Sequence, residues 1–371
     1  MSWNPSSEFT PPSTPEKDKP KPNPGTIINL VGDINLEVKS FNGTTVYAVS
    51  SHQLIDGSKF FSKLLGGGST FAEATAFKAH ILKKSQNQLF SRFKLTIDIE
   101  EKSQEAMTTL LQILHGKPHS LISDDIRLVD TWYKIARLAD YFDCGGIFED
   151  WARIWLKLPT ATYESDLQNL DKWILISEVF RNPAIFEAVT KQALLLMFTK
   201  KDSEEVFWKV SQTGNEDVFT ATSPGVLSAL VRKREDLIKK FAEPLLAIAK
   251  HYEGYPKTLT TSTQKTYRCR LSKDGCDMLI SGAARYWIHQ LSLTEWGENC
   301  GSTADVTLQD LAPQLSVINF PTWTDVTYNG GYAPVYHSSC NPLLAEEFNV
   351  NKKATNVLKD LVGLNLLELR P

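Results

Sequence analysis

The stretch Gly32–Leu65, GDINLEVKSFNGTTVYAVSSHQLIDGSKFFSKLL, changes its hydrophobic period once, at Ser50, and that switch restricts the fold more than any other feature. Before Ser50 the pattern alternates. Leu36 and Val38 share one side of a first strand, and Tyr47 and Val49 share one side of a second. Between them stands Asn42-Gly43, a dipeptide suited to a tight hairpin because both residues tolerate positive φ. After Ser50 the spacing becomes helical. Ser50-Ser51 offers an N-cap for a helix carrying Leu54, Ser58, Phe61 and Leu65. A sheet face and a helix stripe made from adjacent sequence bury each other most economically, so the expected class is α+β.

Further elements follow in order. Leu95-Thr96-Ile97-Asp98-Ile99 reads as a short third strand. Ala106, Met107, Leu110, Leu111 and Leu114 form an apolar helical stripe stopped by Gly116 and Pro118. Leu128, Trp132, Ile135, Ala139 and Phe142 make a second stripe ending at Gly145-Gly146, and Ile147, Trp151, Ile154 and Trp155 begin a third.

Taken together, residues 28 to 156 resemble a BTB/POZ domain of the fungal type. That family places an Asp before the first strand, then a Leu, then an apolar-Ser-x-x-Phe helix. Asp33, Leu36, Leu54, Ser58 and Phe61 occupy those positions. Leu114-His115-Gly116 stands at a turn where the family has Leu/Tyr-x-Gly, and IARLADYFDCGGIFEDWARIWL resembles the family's last helices. The resemblance implies a small mixed sheet covered by helices, acting as a non-enzymatic protein–protein interaction module. It implies self-association as a dimer, or service as a scaffold or substrate adaptor for a cullin-3-type ubiquitin ligase. Cullin-binding members carry a hydrophobic-x-Glu triplet after the Phe-containing helix. Phe71-Ala72-Glu73 fits it, which makes Phe71 and Glu73 the candidate partner-binding residues, with Phe71 as the anchor.

Two departures bear on that carry-over. Ser50 and Ser51 replace the family's His followed by a basic residue, so Asp33 needs other partners, backbone amides among them. Lys78 to Phe93 reads as an insertion before the third strand.

The whole chain divides into four parts. Residues 1–25 are Pro-rich and expected to be disordered, residues 27–157 form the BTB-like domain, 160–255 read as a helical (BACK-like or three-box-like) region, and 256–371 are of unknown type. Within the helical region Trp173, Ile174, Ile176, Val179 and Phe180 cluster, as do Ile185, Val189, Ala193, Leu196 and Met197. Val226 to His251 is a long amphipathic pattern. Further on, Met278 to Leu293 has helical spacing, Tyr267–Leu271 reads as a strand, and Leu358, Leu361, Val362 and Leu366 suggest a closing helix.

With 371 residues and 42% hydrophobic content the chain can bury a sizeable core. A net charge of −3 provides no global field toward nucleic acid or anionic membrane. Five scattered cysteines and a Pro-, Ser- and Lys-rich start without an apolar stretch fit a cytoplasmic or nuclear protein with reduced thiols.

Signs of chemistry are sparse. No phosphate-loop, dinucleotide, zincin or serine-hydrolase motif occurs, and no cofactor is expected. Gly66-Gly67-Gly68 lacks a phosphate-loop Lys and reads as a connector. His115 and His119 read as surface turn residues, and Arg232-Lys233-Arg234 as a solvated helix face. The metal-capable residues are Cys269, Cys276, Cys300, His337 and Cys340. His337-x-x-Cys340 has the spacing of half a zinc site, but the six residues between Cys269 and Cys276 are too many for the usual knuckle, so no zinc is expected. A transcription-associated BTB protein would need a basic DNA-reading segment, and an enzyme a converged polar pocket. Neither is visible in the sequence.

Overall fold

The computed structural model describes residues 26–27, 32–40, 43–86, 91–99, 103–117, 129–157, 159–200, 203–210, 215–252, 274–291, 293, 306–320, 324–325, 335–336 and 341–369. The chain is α+β and divides into two compact units. One comprises Met1–Ser120 with Arg137–Cys144, the other Leu121–Ala136 with Gly145–Pro371. The division therefore passes through the helix Val129–Tyr141, and residues 145–157 belong to the second unit.

The first unit is built on the hairpin. Strands β1 (Thr26–Ile27), β2 (Ile34–Ser40), β3 (Gly43–Val49) and β4 (Phe93–Asp98) form a mixed sheet in the order β1-β3-β2-β4. β2 runs antiparallel to β3 and parallel to β4, with Leu36 opposite Tyr47 on one side and Leu95 on the other. The hairpin closes with Ser40 opposite Gly43, one position earlier than a central Asn-Gly pair would give. Gly43 has φ +121°, a conformation open to glycine at no steric cost. Ile34, Leu36, Val38, Tyr47, Val49, Leu95 and Ile97 are all buried.

The helix expected after Ser50 is two helices, α1 (Ser51–Gly57) and α2 (Lys59–Leu65). Ser58 is extended (φ −143°, ψ 124°), ending one helix and capping the next. Gly57 and Ser58 are both poor in a helix interior, and Ser58 Oγ does more as a cap. It accepts from the Phe61 amide at 3.2 Å and donates to the Phe142 carbonyl at 2.6 Å. Leu54, Phe61 and Leu65 are buried as the stripe requires, and Phe61 stacks on Phe142 with ring centroids 5.1 Å apart.

The first half of the segment read as an insertion, Lys78 to Phe93, continues a helix, α3 (Ala72–Ser85), which is attached by Ala74 and Phe77. Phe77 packs edge-on against Phe93, centroids 5.2 Å apart. Helix α4 (Gln104–Leu114) buries every residue of the expected stripe. Past it, the Gly116 and Lys117 amides bond back to Ile113 and Gln112. Helix α5 (Val129–Tyr141) ends before Phe142, sooner than the glycine pair at 145–146. Trp132, Ile135 and Ala139 are buried on it, as is Phe142 beyond it, while Leu128 lies outside the described residues.

The second unit is mainly helical. In α6 (Phe148–Trp155) the buried residues are Phe148, Ala152 and Trp155. The expected stripe was displaced: Ile154 is exposed, and Ile147 and Trp151 are half-buried. Two indoles and the Phe148 and Phe180 rings outcompete them, with Trp132 and Trp155 centroids 4.7 Å apart and Phe148 stacked on Phe180 at 5.1 Å. Helices α7 (Thr160–Ser165), α8 (Leu170–Val179) and α9 (Pro183–Leu196) follow, and both expected clusters on α8 and α9 are buried.

The region, read as mostly helical, also contains three short strands that the sequence reading did not place: β5 (Met197–Thr199), β6 (Val206–Lys209) and β7 (Glu216–Val218). Beyond them, α10 (Pro224–Tyr252) packs against α11 (Asp274–Gln290). Helix α12 (Leu308–Ser316), the two-residue strands β8 (Thr324–Asp325) and β9 (Val335–Tyr336), α13 (Val350–Lys359) and α14 (Leu366–Leu369) complete the unit. Tyr267–Leu271 lies outside the described residues.

Two basic and closing segments differ from expectation. Arg234 is only 3% exposed, and its guanidinium donates to the Met197 and Val306 carbonyls at 3.1 and 2.6 Å. Burial lowers its pKa to about 10, so it stays protonated at neutral pH and serves carbonyls rather than solvent. Lys233 bonds the Gly363 carbonyl at 2.7 Å. The closing helix is not continuous: residues 361–365 are non-helical between α13 and α14. Gly363 explains the break, because its backbone lies so close to α9 that a Cβ there would come within 1.8 Å of the Glu187 carbonyl oxygen. The next amide, Leu364, donates to Thr190 Oγ1 at 2.8 Å.

Two substitutions check this packing by thermal and denaturant unfolding. Phe61→Ala removes a fully buried ring and is expected to cost about 3–5 kcal/mol. Gly363→Ala must push the closing segment off α9 and is expected to cost about 1–3 kcal/mol. Wild-type stability in either variant would contradict the packing described.

Candidate interaction site

The strand-to-helix junction at Ser50-Ser51 fixes the geometry of the first unit. A seven-residue helix leaves most of its N-terminal amides without intrahelical partners. The Ser50 side chain makes no cap at α1. Asp33, eighteen residues earlier, caps it instead. One carboxylate oxygen accepts from the Ser51 amide at 2.7 Å and the other from the Ser51 hydroxyl at 2.6 Å. This answers the departure at Ser51: the carboxylate is satisfied by an amide and a hydroxyl where the family pattern has a basic side chain.

His115 secures the same junction from the far side. It is buried, against the expectation of a surface turn residue. Its Nε2 accepts from the Ser50 amide at 2.9 Å, and its Nδ1 lies 2.7 Å from the Leu111 carbonyl. Both contacts are made at once only by the neutral ring protonated on Nδ1. Burial holds the His115 pKa below its ordinary value, the Leu111 carbonyl opposes that shift, and Lys117 adds to it. His119 lies outside the described residues.

Helix α2 is capped in a related way. Its first amides, Lys59 and Phe60, donate to the carbonyls of Asp143 and Phe142 at 3.3 and 3.4 Å. With Ser58 Oγ also on Phe142, the helix N-terminus abuts the chain leaving α5.

Against this framework Phe71 stands out. It is the N-terminal cap residue of α3, its backbone held by Ser69 Oγ to its amide and by Thr75 to its carbonyl. Its side chain is 54% exposed. Glu73, also exposed, sits in the first turn of α3, where a carboxylate complements the helix dipole. The triplet thus opens a helix. Phe71, Thr75, Lys78 and Leu82 recur at the spacing of one helix face, and all four are exposed. The sequence reading missed this face. Its spacing was legible, but alanines dilute its amphipathicity, and Leu82, 61% exposed, carries no motif. The structural signature residues Asp33, Leu36, Leu54, Ser58 and Phe61 gather instead in the interior and at the junction.

Chemistry is poorly served elsewhere among the described residues. No three His, Cys, Asp or Glu side chains gather to hold a metal ion there. Cys269, Cys300, His337 and Cys340 lie outside the described residues, and of Cys276 only the backbone position in α11 is described. Cys144 is buried, and desolvation with the nearby Asp143 and Asp140 charges pushes its thiol up to about 12, which leaves it unreactive. The Asp171 carboxylate, a catalytic type by chemistry, is occupied by the amides of Thr220, Ala221 and Thr222 at 2.6–2.8 Å. No described helix is long and apolar enough to cross a membrane.

Two measurements test the junction. Asp33→Asn is expected to lose about 1–2 kcal/mol, because an amide replaces one of two charge-assisted acceptors. The His115 dependence on pH has a definite sign. Its folded pKa lies below the unfolded value of 6.5, so its contribution is fully present above pH 6.5 and is lost as pH falls toward the folded value. Stability of the wild type relative to His115→Gln should therefore decline on acidification through that window. A difference independent of pH would contradict the neutral-ring geometry.

No protein-family model, curated protein or solved structure matches this chain.

Proposed function

We propose that the first unit is a BTB/POZ-like protein-interaction module, and that the chain works as a scaffold or as a substrate adaptor of the cullin-ligase kind. The observation that carries this reading is the exposure of Phe71 at the head of α3, beside a core that buries Leu54 and Phe61 completely. A large aromatic left half in solvent by a helix cap contributes little to folding when unpartnered and is a good anchor when a partner's pocket receives it. The order of elements supports the same reading: a hairpin entering two short helices, then a strand parallel to the hairpin's first strand. No pocket chemistry is needed for such a role, and Asp33, His115, Asp171 and Arg234 are engaged in structural bonds.

The test uses the full chain, wild type and Phe71→Ala, in sedimentation and in affinity capture from cell extract with identification of what is bound. Self-association or capture of a cullin or other defined partner is expected, weakened in the variant by about 2 kcal/mol or more with an unchanged melting temperature. If Phe71→Ala lowers the melting temperature as far as Phe61→Ala, Phe71 is a core residue. If the wild type stays monomeric and captures nothing, the association reading is wrong.

A further inference from the structure

We propose that the exposed face of α3 docks an acidic amphipathic helix of a partner protein, an inference that rests on reading the first unit as an interaction module. Phe71 and Leu82 mark the two ends of this face, eleven residues or roughly 16 Å apart along the axis. That separation is about three helical turns, the span over which a partner helix presents apolar residues at i, i+4, i+7 and i+11. Between them Ala79 keeps the surface low, so that another helix axis can approach to packing distance.

Charge selects the partner. Lys78, at the middle of α3, and Lys83 and Lys84, in its last turn, are exposed, and among the described residues none of them takes part in a salt bridge. The only carboxylate on the helix, Glu73, is in its first turn. Part of that positive charge complements the helix C-terminus, where Lys83 and Lys84 stand, but Lys78 lies about two turns earlier, beyond the reach of the terminal carbonyls. Helical spacing sets Lys78 and Lys83 on either side of Leu82, whereas Lys84 falls on the Phe77 side. A partner with Glu or Asp flanking its apolar stripe therefore satisfies Lys78 and Lys83 at the rim while its apolar residues cover Phe71 and Leu82. A lipid surface or a nucleic acid meets the lysines but not the rest. Glu73 stands beside Phe71 and repels phosphate, and the side of α3 carrying Ala74 and Phe77 is already buried against its own unit.

The experiment selects binders for the full chain from a displayed library of helices about five turns long. The helices share a Leu/Phe stripe, with Glu, Lys or Gln at every flanking position. The expected winners are rich in Glu. They should lose about tenfold or more in affinity with Leu82→Asp and with the triple change Lys78→Glu, Lys83→Glu, Lys84→Glu. Circular dichroism melts serve to show that the variants remain folded. Lys-for-Glu versions of the winners should bind the triple variant better than the wild type, a gain that misfolding cannot produce. Selection of no helix, selection of neutral or basic ones, or equal binding to the triple variant would overturn the proposal. So would tighter capture by phosphatidylserine vesicles or duplex DNA that the triple change abolishes. If Phe71→Ala breaks natural partner association while the lysine changes leave it intact, the interaction module stands and the acidic-helix partner falls. If neither variant matters, both fall.

Discussion

Helices of seven residues do not persist alone, and α1 and α2 exist because other parts of the chain complete their N-termini. Asp33 does this for α1 and the Phe142 and Asp143 carbonyls for α2, while His115 holds the Ser50 amide just before α1. Two segments distant in sequence thus converge on the strand-to-helix passage at Ser50-Ser51, and a third on the start of α2. The hairpin, the Phe61–Phe142 stack and the position of α4 all depend on them. Each bond is partly or wholly shielded from water, where an unmade partner costs more than the bond itself contributes.

The consequence for function is indirect. Beside that junction α3 is attached by Ala74, Phe77 and the half-buried His80 and presents its opposite face to solvent. A module that keeps its core closed and one helix face open is suited to exchanging partners without unfolding. Cys144, Asp171 and Arg234, the groups whose chemistry would draw attention in an enzyme, are all engaged in holding the architecture.

Much of the fold was legible in the sequence because it is written in periodicity. The alternation at Leu36 and Val38, the stripe of α4 and the clusters on α8 and α9 are local consequences of burial on one face. What escaped was decided by tertiary competition. Ser58 fell on the helical stripe but caps instead, since Gly57 and Ser58 jointly disfavour helix interior. Ile154 gave way to Phe148 in α6 because aromatic rings claimed the space. Arg234 looked solvent-facing beside two other cations, and the carbonyls that bind it lie 37 and 72 residues away. His115 was misplaced for the same reason, as its partner amide belongs to Ser50.

Of the candidate site, Phe71 and Glu73 were visible as a triplet. The helix behind them was not, since alanine carries little amphipathic signal. Whether α3 is a binding face in the cell is most directly tested by placing a photo-crosslinking amino acid at position 71 or 82 of the full chain, with position 367, more exposed still but in the second unit, as control. Discrete protein adducts at 71 and 82, absent at 367, are the predicted result. Adducts at 367 alone, or none at 71 and 82, would contradict it.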